Sequence, residues 1–320
     1  MSFSSYLKKN PGEQIADLGP EPKPTLNMSG LFLWLDAQDH NTVIASGSHY
    51  GESASLGLKT QEWRDKSGKN HHVLMRFHGG CMPTYSASAM NGYNAVAFNA
   101  NSVDLNPPST NYDLGNWMEA LNYKYSGGTQ FSDMPTTDQF TIAAVFQVTG
   151  SGAAYSNSGA SKALNTPNVR YLFYDNNANF ALGFAANNTL EFRQYNNINN
   201  GSATNFTTGS HLAIFTHDNG AYNLYMDGSG STEIAVSGLP LAWSGGGGAN
   251  HDRDQYSDRI TIGCGSQPRY DFHAYTLRNA SPSQRFFDGY IGEIIMFDRL
   301  FSTREQSDLA KILMNKWGIT

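Results

Sequence analysis

The stretch DGYIGEIIMFDRLFSTREQSDLAKILMNKWGI, Asp288 to Ile319, decides the fold, because it encodes a buried strand followed by a capped helix. In a strand, alternate side chains point to opposite faces of the sheet. Both faces of Tyr290 to Phe297 are largely apolar, so we expect a central strand. Strict alternation puts Ile291 on the same face as Glu293.

The second half of this stretch predicts one C-terminal helix. Ser302 and Glu305 form a capping box, in which a hydroxyl and a carboxylate satisfy backbone donors of the first turn. One apolar stripe and a stopping glycine follow. These residues are Leu309, Ile312, Leu313, Trp317 and Gly318. We expect the helix to pack on a sheet and cover it.

Glu293 is the anomaly of the strand, since a buried carboxylate needs a partner. Arg299 and Lys66 are the candidates in the sequence. We interpret Glu293 as a structural anchor in preference to a catalytic group. In the segment WRDKSG, Asp65, Ser67 and Gly68 predict a turn, and Trp63 is expected to fill the core.

Working outward, short apolar runs with a period of two alternate with Gly, Asn, Asp and Pro, which is typical of antiparallel strands. About a dozen such strands imply two packed sheets. Their predicted bounds are 31–36, 73–77, 95–99, 140–148, 170–174, 180–185, 189–195, 211–217, 222–226, 233–236, 259–263 and 290–297. Turn residues at 218–220 and 227–228 predict two hairpins. Long Gly, Ser and Asn loops separate other strands, at 100–135, 149–168, 196–208, 240–258 and 265–287.

Composition excludes several classes of protein. The chain has 320 residues, of which 39% are hydrophobic and 15% charged, so it can form a large core and is not a disordered chain. A net charge of −6 with scattered Lys and Arg argues against nucleic-acid binding. The apolar runs are too short to cross a membrane. The opening MSFSSYLKKNPGEQ lacks the apolar segment of a secretory signal.

Residues 1–28 form a separate segment in this interpretation, followed by one domain at 29–320. Alternate prolines in Gly19 to Thr25 favour an extended, polyproline-like chain. We interpret the segment as an arm that docks on an assembly partner; the alternative is an arm that lies along its own domain. Cys81 and Cys264 are either two buried free thiols or one disulfide.

Four segments together resemble the concanavalin A-like lectin and glucanase superfamily, specifically its laminin-G-like domains in tailed-phage virion proteins and bacterial surface proteins. They are LFLWLDAQD (31–39), EWRDKSGKNHH (62–72), PTY with NGYNAVAFN (83–99), and the stretch quoted first. The resemblance covers most of residues 30–320. It implies an all-β jelly-roll sandwich of two antiparallel sheets, which the strand pattern predicts independently.

The resemblance also allows a test for catalysis. Superfamily members that hydrolyse β-glucans carry Glu-x-Asp-x-x-Glu on one strand, which places two carboxylates on one face. No Glu in this chain has Asp two positions later. We therefore expect no enzyme activity of that kind, and no catalytic residue is assigned.

Binding residues are the remaining candidates. Aromatic side chains near Asn-rich loops could stack on sugars, contact a partner protein or fill the core; these are Trp117, Tyr195, Trp243 and Tyr256. No cofactor is expected, and the His spacing does not fit a zinc site. Oxygen-rich residues Asp175, Asn177 and Asn179 form a weak calcium candidate, for which an ordinary turn is the alternative.

These observations favour a virion structural protein of a tailed phage: a head-decoration, fibre or tail-associated protein at the virion surface. It would bind other virion proteins through residues 1–28, form a homo-oligomer and contact cell-surface polysaccharide through its lectin-like sandwich. The first alternative is a carbohydrate-binding module of a bacterial surface protein, extracellular or on the cell surface. The second is a glycan hydrolase or lyase with an unrelated active site.

Overall fold

Two large antiparallel sheets make up most of the chain that the structure describes. This computed structural model describes residues 26–45, 57–75, 82–99, 116, 118–121, 139–149, 170–175, 180–184, 190–194, 209–218, 221–235, 259–265, 270–271, 276–277 and 285–320. The predicted all-β jelly-roll sandwich with a C-terminal helix is confirmed. The division into an arm at 1–28 and a domain at 29–320 stays a prediction.

The first sheet contains eight strands, with the predicted strand at its centre. From one edge to the other they are β14 (Ser229–Ala235), β13 (Ala221–Met226), β12 (His211–Asp218), β8 (Gln139–Val148), β20 (Gly289–Phe297), β6 (Tyr93–Phe98) and β5 (Thr84–Met90), with β1 (Leu31–Asp36) also paired to β20. Along one side of β20, β6 pairs with Gly289 to Ile291 and β1 with Glu293 to Phe297. Its other side pairs with β8.

The second sheet also contains eight strands. In order they are β11 (Leu190–Gln194), β10 (Phe180–Phe184), β9 (Arg170–Asp175), β15 (Arg259–Ile262), β7 (Met118–Leu121), β4 (Val73–Leu74), β3 (Thr60–Trp63) and β2 (Val43–Ala45). Two separate two-stranded sheets are also present: β16 (Cys264–Gly265) with β19 (Arg285–Phe286), and β17 (Tyr270–Asp271) with β18 (Thr276–Leu277). A 3-10 turn, His40–Thr42, precedes β2. The bridge between Lys59 and Thr84 joins the two sheets at one edge.

The core lies between the sheets and is rich in aromatic rings. Phe146 of β8 lies 5.0 Å, centroid to centroid, from Phe184 of β10, and Phe184 lies 5.9 Å from Phe287. Trp63 is fully buried, as predicted. Burial of aromatic side chains of this size is a dominant source of stability in a sandwich.

The helix α1 (Thr303–Trp317) lies on the outer face of the first sheet. The predicted capping box is present, with Ser302 as N-cap, and Gly318 ends the helix in the left-handed conformation. The helix packs against β12. The helix residues Leu309, Leu313 and Trp317 are buried. Both faces of β8 and β20 are buried. On the outer face of the sheet, α1 packs over β12 and places Trp317 against Gly292 of β20.

One prediction about β20 is wrong. The register between β20 and β8 shifts between Ile291 and Glu293, which is a β-bulge at Gly292. The extra residue reverses the alternation, so Ile291, opposite Phe146, faces the core, whereas Glu293, opposite Val145, faces α1. Strict alternation had put Ile291 and Glu293 on the same face.

The hairpin predictions are confirmed. Asp227 and Gly228 both have positive φ, 42° and 75°, and Met226 pairs with Ser229 across them. Asp and Gly tolerate this conformation, which matches the twist of a two-residue hairpin. At the other hairpin, Asp218 pairs with Ala221.

Candidate functional site

Two buried carboxylates face each other under the last turn of α1. Asp36 of β1 and Glu293 of β20 are direct cross-strand partners, and they are 4% and 1% exposed. Like charges in this position repel each other, and burial makes each charge costly. The pair therefore needs donors close by.

The helix supplies the central donor. Lys316 Nζ lies 2.9 Å from Asp36 Oδ1 and 2.7 Å from Glu293 Oε2, so one ammonium bridges both carboxylates. Trp317 Nε1 donates to Glu293 Oε2 at 2.7 Å, and Trp34 Nε1 donates to Oε1 at 2.7 Å. Glu293 thus joins β20, β1 and α1.

A second ammonium completes this group, which we call the carboxylate cluster: Asp36, Asp39, Lys66, Glu293 and Lys316. Lys66 Nζ contacts Asp36 Oδ2 at 2.9 Å and Asp39 Oδ2 at 3.0 Å. It also lies 4.6 Å from the ring centroid of Trp34, as a cation–π contact. Both lysine side chains remain about one quarter exposed, so the cluster borders on solvent.

The electrostatics of the cluster perturb three pKa values. Burial raises the pKa of Glu293, and the Asp36 carboxylate raises it further, against the opposing effect of Lys316 and Trp317. Burial by itself would lower the pKa of Lys66, but Asp36 and Asp39 outweigh it and raise that pKa. The hydrogen bond from Lys66 lowers the pKa of Asp39.

The structure corrects the predicted partners of Glu293. Neither Arg299 nor Lys66 binds it; Lys316 does, with two indole donors. Each oxygen of Asp36 and Glu293 already accepts a hydrogen bond from the protein. Such a pair can hold a helix against a sheet, but it presents no unoccupied oxygen to a sugar.

Outside the carboxylate cluster, the carboxylate of Asp65 organises the predicted turn. Asp65 is 9% exposed, and its oxygens accept from Trp34 N, Ser67 N, Ser67 Oγ and His71 N at 2.6 to 2.9 Å. The predicted turn at Asp65, Ser67 and Gly68 is therefore confirmed. Because Trp34 is bound through its backbone by Asp65 and through its indole by Glu293, the turn and the cluster hold one strand jointly.

Arg299 holds the start of the described chain. Its Nε donates to Ser29 O at 2.8 Å, and its NH2 donates to Asn27 O at 2.9 Å. Its NH1 pairs with Glu305 at 2.7 Å, and the guanidinium lies 4.3 Å from the ring of Phe301. We call this contact set the arm root. It fixes residues 27–29 to the corner between β20 and α1.

The predicted binding residues lie outside the described residues. This holds for Trp117, Tyr195, Trp243 and Tyr256, for Asn177 and Asn179, and for the side chain of Asp175. Cys81 and the side chain of Cys264 lie outside as well, so the choice between thiols and disulfide stays open. Those interpretations stay predictions.

Sequence reasoning missed Lys316 and Asp36 as partners of Glu293. The local signal for each is a charged residue next to apolar ones. Asp36 ends the run LFLWLD, and Lys316 directly precedes Trp317. Within the described ranges, no group of three His, Cys, Asp or Glu side chains is placed to hold a metal ion. None of the helical segments that can be described combines the length and apolarity needed to span a membrane.

The fold and these contacts define a two-sheet β-sandwich protein with a helix anchored by buried carboxylates. No family model matches the chain, and a search of curated proteins found no match. Among solved structures, the chain is similar to domain 4 of AbnA, a GH43 extracellular arabinanase from Geobacillus stearothermophilus, in complex with arabinotriose. The identity is 10% and the TM-score 0.47, over 88% of this chain and 98% of that chain.

Two further solved structures are similar to this chain with lower TM-scores, and in both the match covers only part of a longer chain. A sialidase of Trypanosoma rangeli matches at 12% identity and a TM-score of 0.42, over 90% of this chain and 33% of that chain. A structure from work on botulinum neurotoxin type C, whose cell entry depends on interaction with two ganglioside molecules, matches at 12% identity and a TM-score of 0.46, over 89% and 51%. Because all three scores lie below 0.5, the architecture rests on the strand pairing of this chain, and the likenesses carry no conclusion about its ligand.

Proposed function

We propose that this protein is a non-enzymatic structural protein of a tailed-phage virion, in head decoration, a fibre or the tail. Residues 1–28 would dock on other virion proteins, and the sandwich would be displayed at the virion surface. The observation that carries the proposal is the arm root. Arg299 holds Asn27 and Ser29 against the β20–α1 corner, so a segment that precedes them would leave the sandwich from a defined point.

The non-enzymatic part of the proposal is supported by the carboxylates. Asp36, Glu293 and Asp65 are three of the four buried acidic residues in the described part of the chain, and all three accept hydrogen bonds from the protein itself. A retaining glycosidase needs one carboxylate able to attack the substrate and another able to donate a proton to it. These three carboxylates serve as anchors instead.

Glycan binding is the second candidate function, either on the virion or as a carbohydrate-binding module of a bacterial surface protein. It is favoured by the aromatic residues in Asn-rich sequence, Trp117, Tyr195, Trp243 and Tyr256. Binding of purified protein to bacterial polysaccharides, compared between the wild type and the four single alanine variants, tests it. Undiminished binding in all four variants would remove these residues from the proposal.

The arm is tested by deleting residues 1–28 and measuring incorporation into particles on a density gradient, together with oligomeric state by light scattering. We expect the shortened chain to keep its thermal unfolding transition and to lose incorporation or oligomerisation. Incorporation and oligomeric state equal to the wild type would contradict the docking role. Hydrolysis of a polysaccharide by the purified chain, abolished by one acidic substitution, would contradict the non-enzymatic role.

A further inference from the structure

The carboxylate cluster contains more negative than positive groups. Asp36, Asp39 and Glu293 carry three carboxylates, whereas Lys66 and Lys316 supply two ammonium groups. With all five groups ionised, the cluster has one uncompensated negative charge. That charge lies next to the cross-strand pair, whose members are almost fully buried.

The surroundings of Glu293 supply no further positive charge among the described residues. On the β1 side lie Asp36 and the indole of Trp34, and on the α1 side lie Lys316 and the indole of Trp317. The loop after β1 contributes Asp39, and the turn after β3 contributes Lys66, which binds Asp36 and Asp39. The phenol of Tyr85 donates to Ala37 O nearby and is neutral at ordinary pH.

Two buried carboxylates that share one ammonium cannot both ionise without cost, and protonation of one of them removes the repulsion. We propose that the Asp36–Glu293 pair is a proton-binding site that strengthens the attachment of the last turn of α1 to the sheet under mildly acidic conditions. One proton comes from solvent, and the cluster changes from one net negative charge to none. The bond that forms is the O–H bond of the protonated carboxyl group.

The attachment survives protonation because it has several components. Lys316 still pairs with Asp36, Gln38 Nε2 donates to Lys316 O at 3.2 Å, and the ring of Trp317 stays packed on Gly292. The sign follows from the direction of the shift, since burial and Asp36 raise the pKa of Glu293 above the ordinary value of 4.5. A carboxyl with a raised pKa in the folded state contributes full stability below its unfolded pKa, and the contribution is lost as pH rises through the folded pKa.

This inference is tested by amide hydrogen exchange of the full chain at pH 5 and pH 7.5, corrected for the intrinsic pH dependence of exchange. The quantity is protection of residues 314–319 relative to the first two turns of α1, so that effects on the whole protein cancel. We expect relative protection to be several-fold higher at pH 5. The variant Glu293→Gln should lose this difference, and Asp308→Asn, on the same helix but outside the cluster, should keep it.

Equal or lower relative protection at pH 5 in the wild type would overturn the proposal, as would a pH difference that persists in Glu293→Gln. A second measurement does not depend on the variant folding. Carboxyl ¹³C resonances of the wild-type protein should include one in the Asp36–Glu293 pair that titrates above the ordinary Glu value. Titration of both members at or below ordinary values would also overturn it.

Discussion

The indole ring of Trp317 occupies the space that Gly292 leaves open by having no side chain. A Cβ on Gly292 would lie 2.6 Å from the nearest ring carbon. Gly292 is also the extra residue of the bulge that turns Glu293 toward the helix. Gly292 therefore makes room for the Trp317 ring. It also orients the Glu293 carboxylate, which accepts a hydrogen bond from Trp317 Nε1.

Gly292→Ala is expected to lower the free energy of unfolding by about 1–3 kcal/mol, because the added methyl overlaps the ring in a packed region. Chemical denaturation measures the change. In Trp317→Phe, which has a smaller ring, the same Ala substitution should cost less, so the double-mutant cycle should show coupling. Additive effects would mean that the two residues do not compete for this space.

Lys316→Met should be strongly destabilising, by about 3 kcal/mol, since it leaves two buried carboxylates without their shared ammonium. Lys311→Met is the matched control, because Lys311 lies on the same helix and is exposed. Thermal and denaturant unfolding of both variants at pH 7.5 would check the difference. Equal small losses in the two variants would contradict the role of Lys316.

Asp65→Asn should lower the free energy of unfolding by about 2 kcal/mol. The NH2 group of the new amide would face protein groups in the 65–71 turn that donate to the carboxylate, so those donors would lose their acceptor. The bonds affected include those from Trp34 N and His71 N. Lys69→Gln, at an exposed position in the same turn, is the control and should be nearly neutral. A neutral Asp65→Asn would show that the turn does not depend on the carboxylate.

Arg299→Ala should make the arm root more susceptible to limited proteolysis near residues 26–30, since the bonds to Asn27 O and Ser29 O are lost. Arg304→Ala is the control, because Arg304 lies nearby on α1 with a side chain that is 89% exposed. Cleavage rates under native conditions, with cut sites mapped by mass spectrometry, measure the effect. Cleavage at the wild-type rate in Arg299→Ala would contradict the role of Arg299 in holding residues 27–29.

Acidification below about pH 4.5 should weaken the start of α1. Burial opposes ionisation of Glu305, but hydrogen bonds from Ser302 and Arg299 outweigh it and lower the pKa of this carboxyl. A carboxyl with a lowered pKa contributes stability above its unfolded pKa and loses it as pH falls through the folded value. The contribution should be about 0.5 kcal/mol, because Glu305 is partly exposed.

The variant Glu305→Gln tests this acid dependence, since the amide can keep the capping geometry but carries no charge. Its unfolding free energy should fall less than that of the wild type between pH 6 and pH 3. Asp308→Asn serves as the control and should follow the wild-type curve. Identical curves for Glu305→Gln and the wild type would remove Glu305 as the cause.

Strands with apolar side chains at a period of two were predictable, and those with small polar residues were not. The strand at Leu31–Asp36 has its predicted bounds, and β8, β12 and β20 each begin one residue before or end one residue after them. By contrast β5, TYSASAM, was missed, because Ser and Ala give no apolar alternation. The edge strand β2 is three residues long and was too short to detect.

The sequence alone determined the features that depend on neighbouring residues. The capping box at Ser302 and Glu305, the stop at Gly318 and the turn at Asp227–Gly228 each satisfy backbone requirements within a few positions, so local chemistry specifies them. Tertiary structure alone decided which face Glu293 occupies and which groups bind it. That outcome depends on the bulge at Gly292 and on pairing with Asp36, 257 positions away in the chain but adjacent across two strands, and a local period of two contains no information about either.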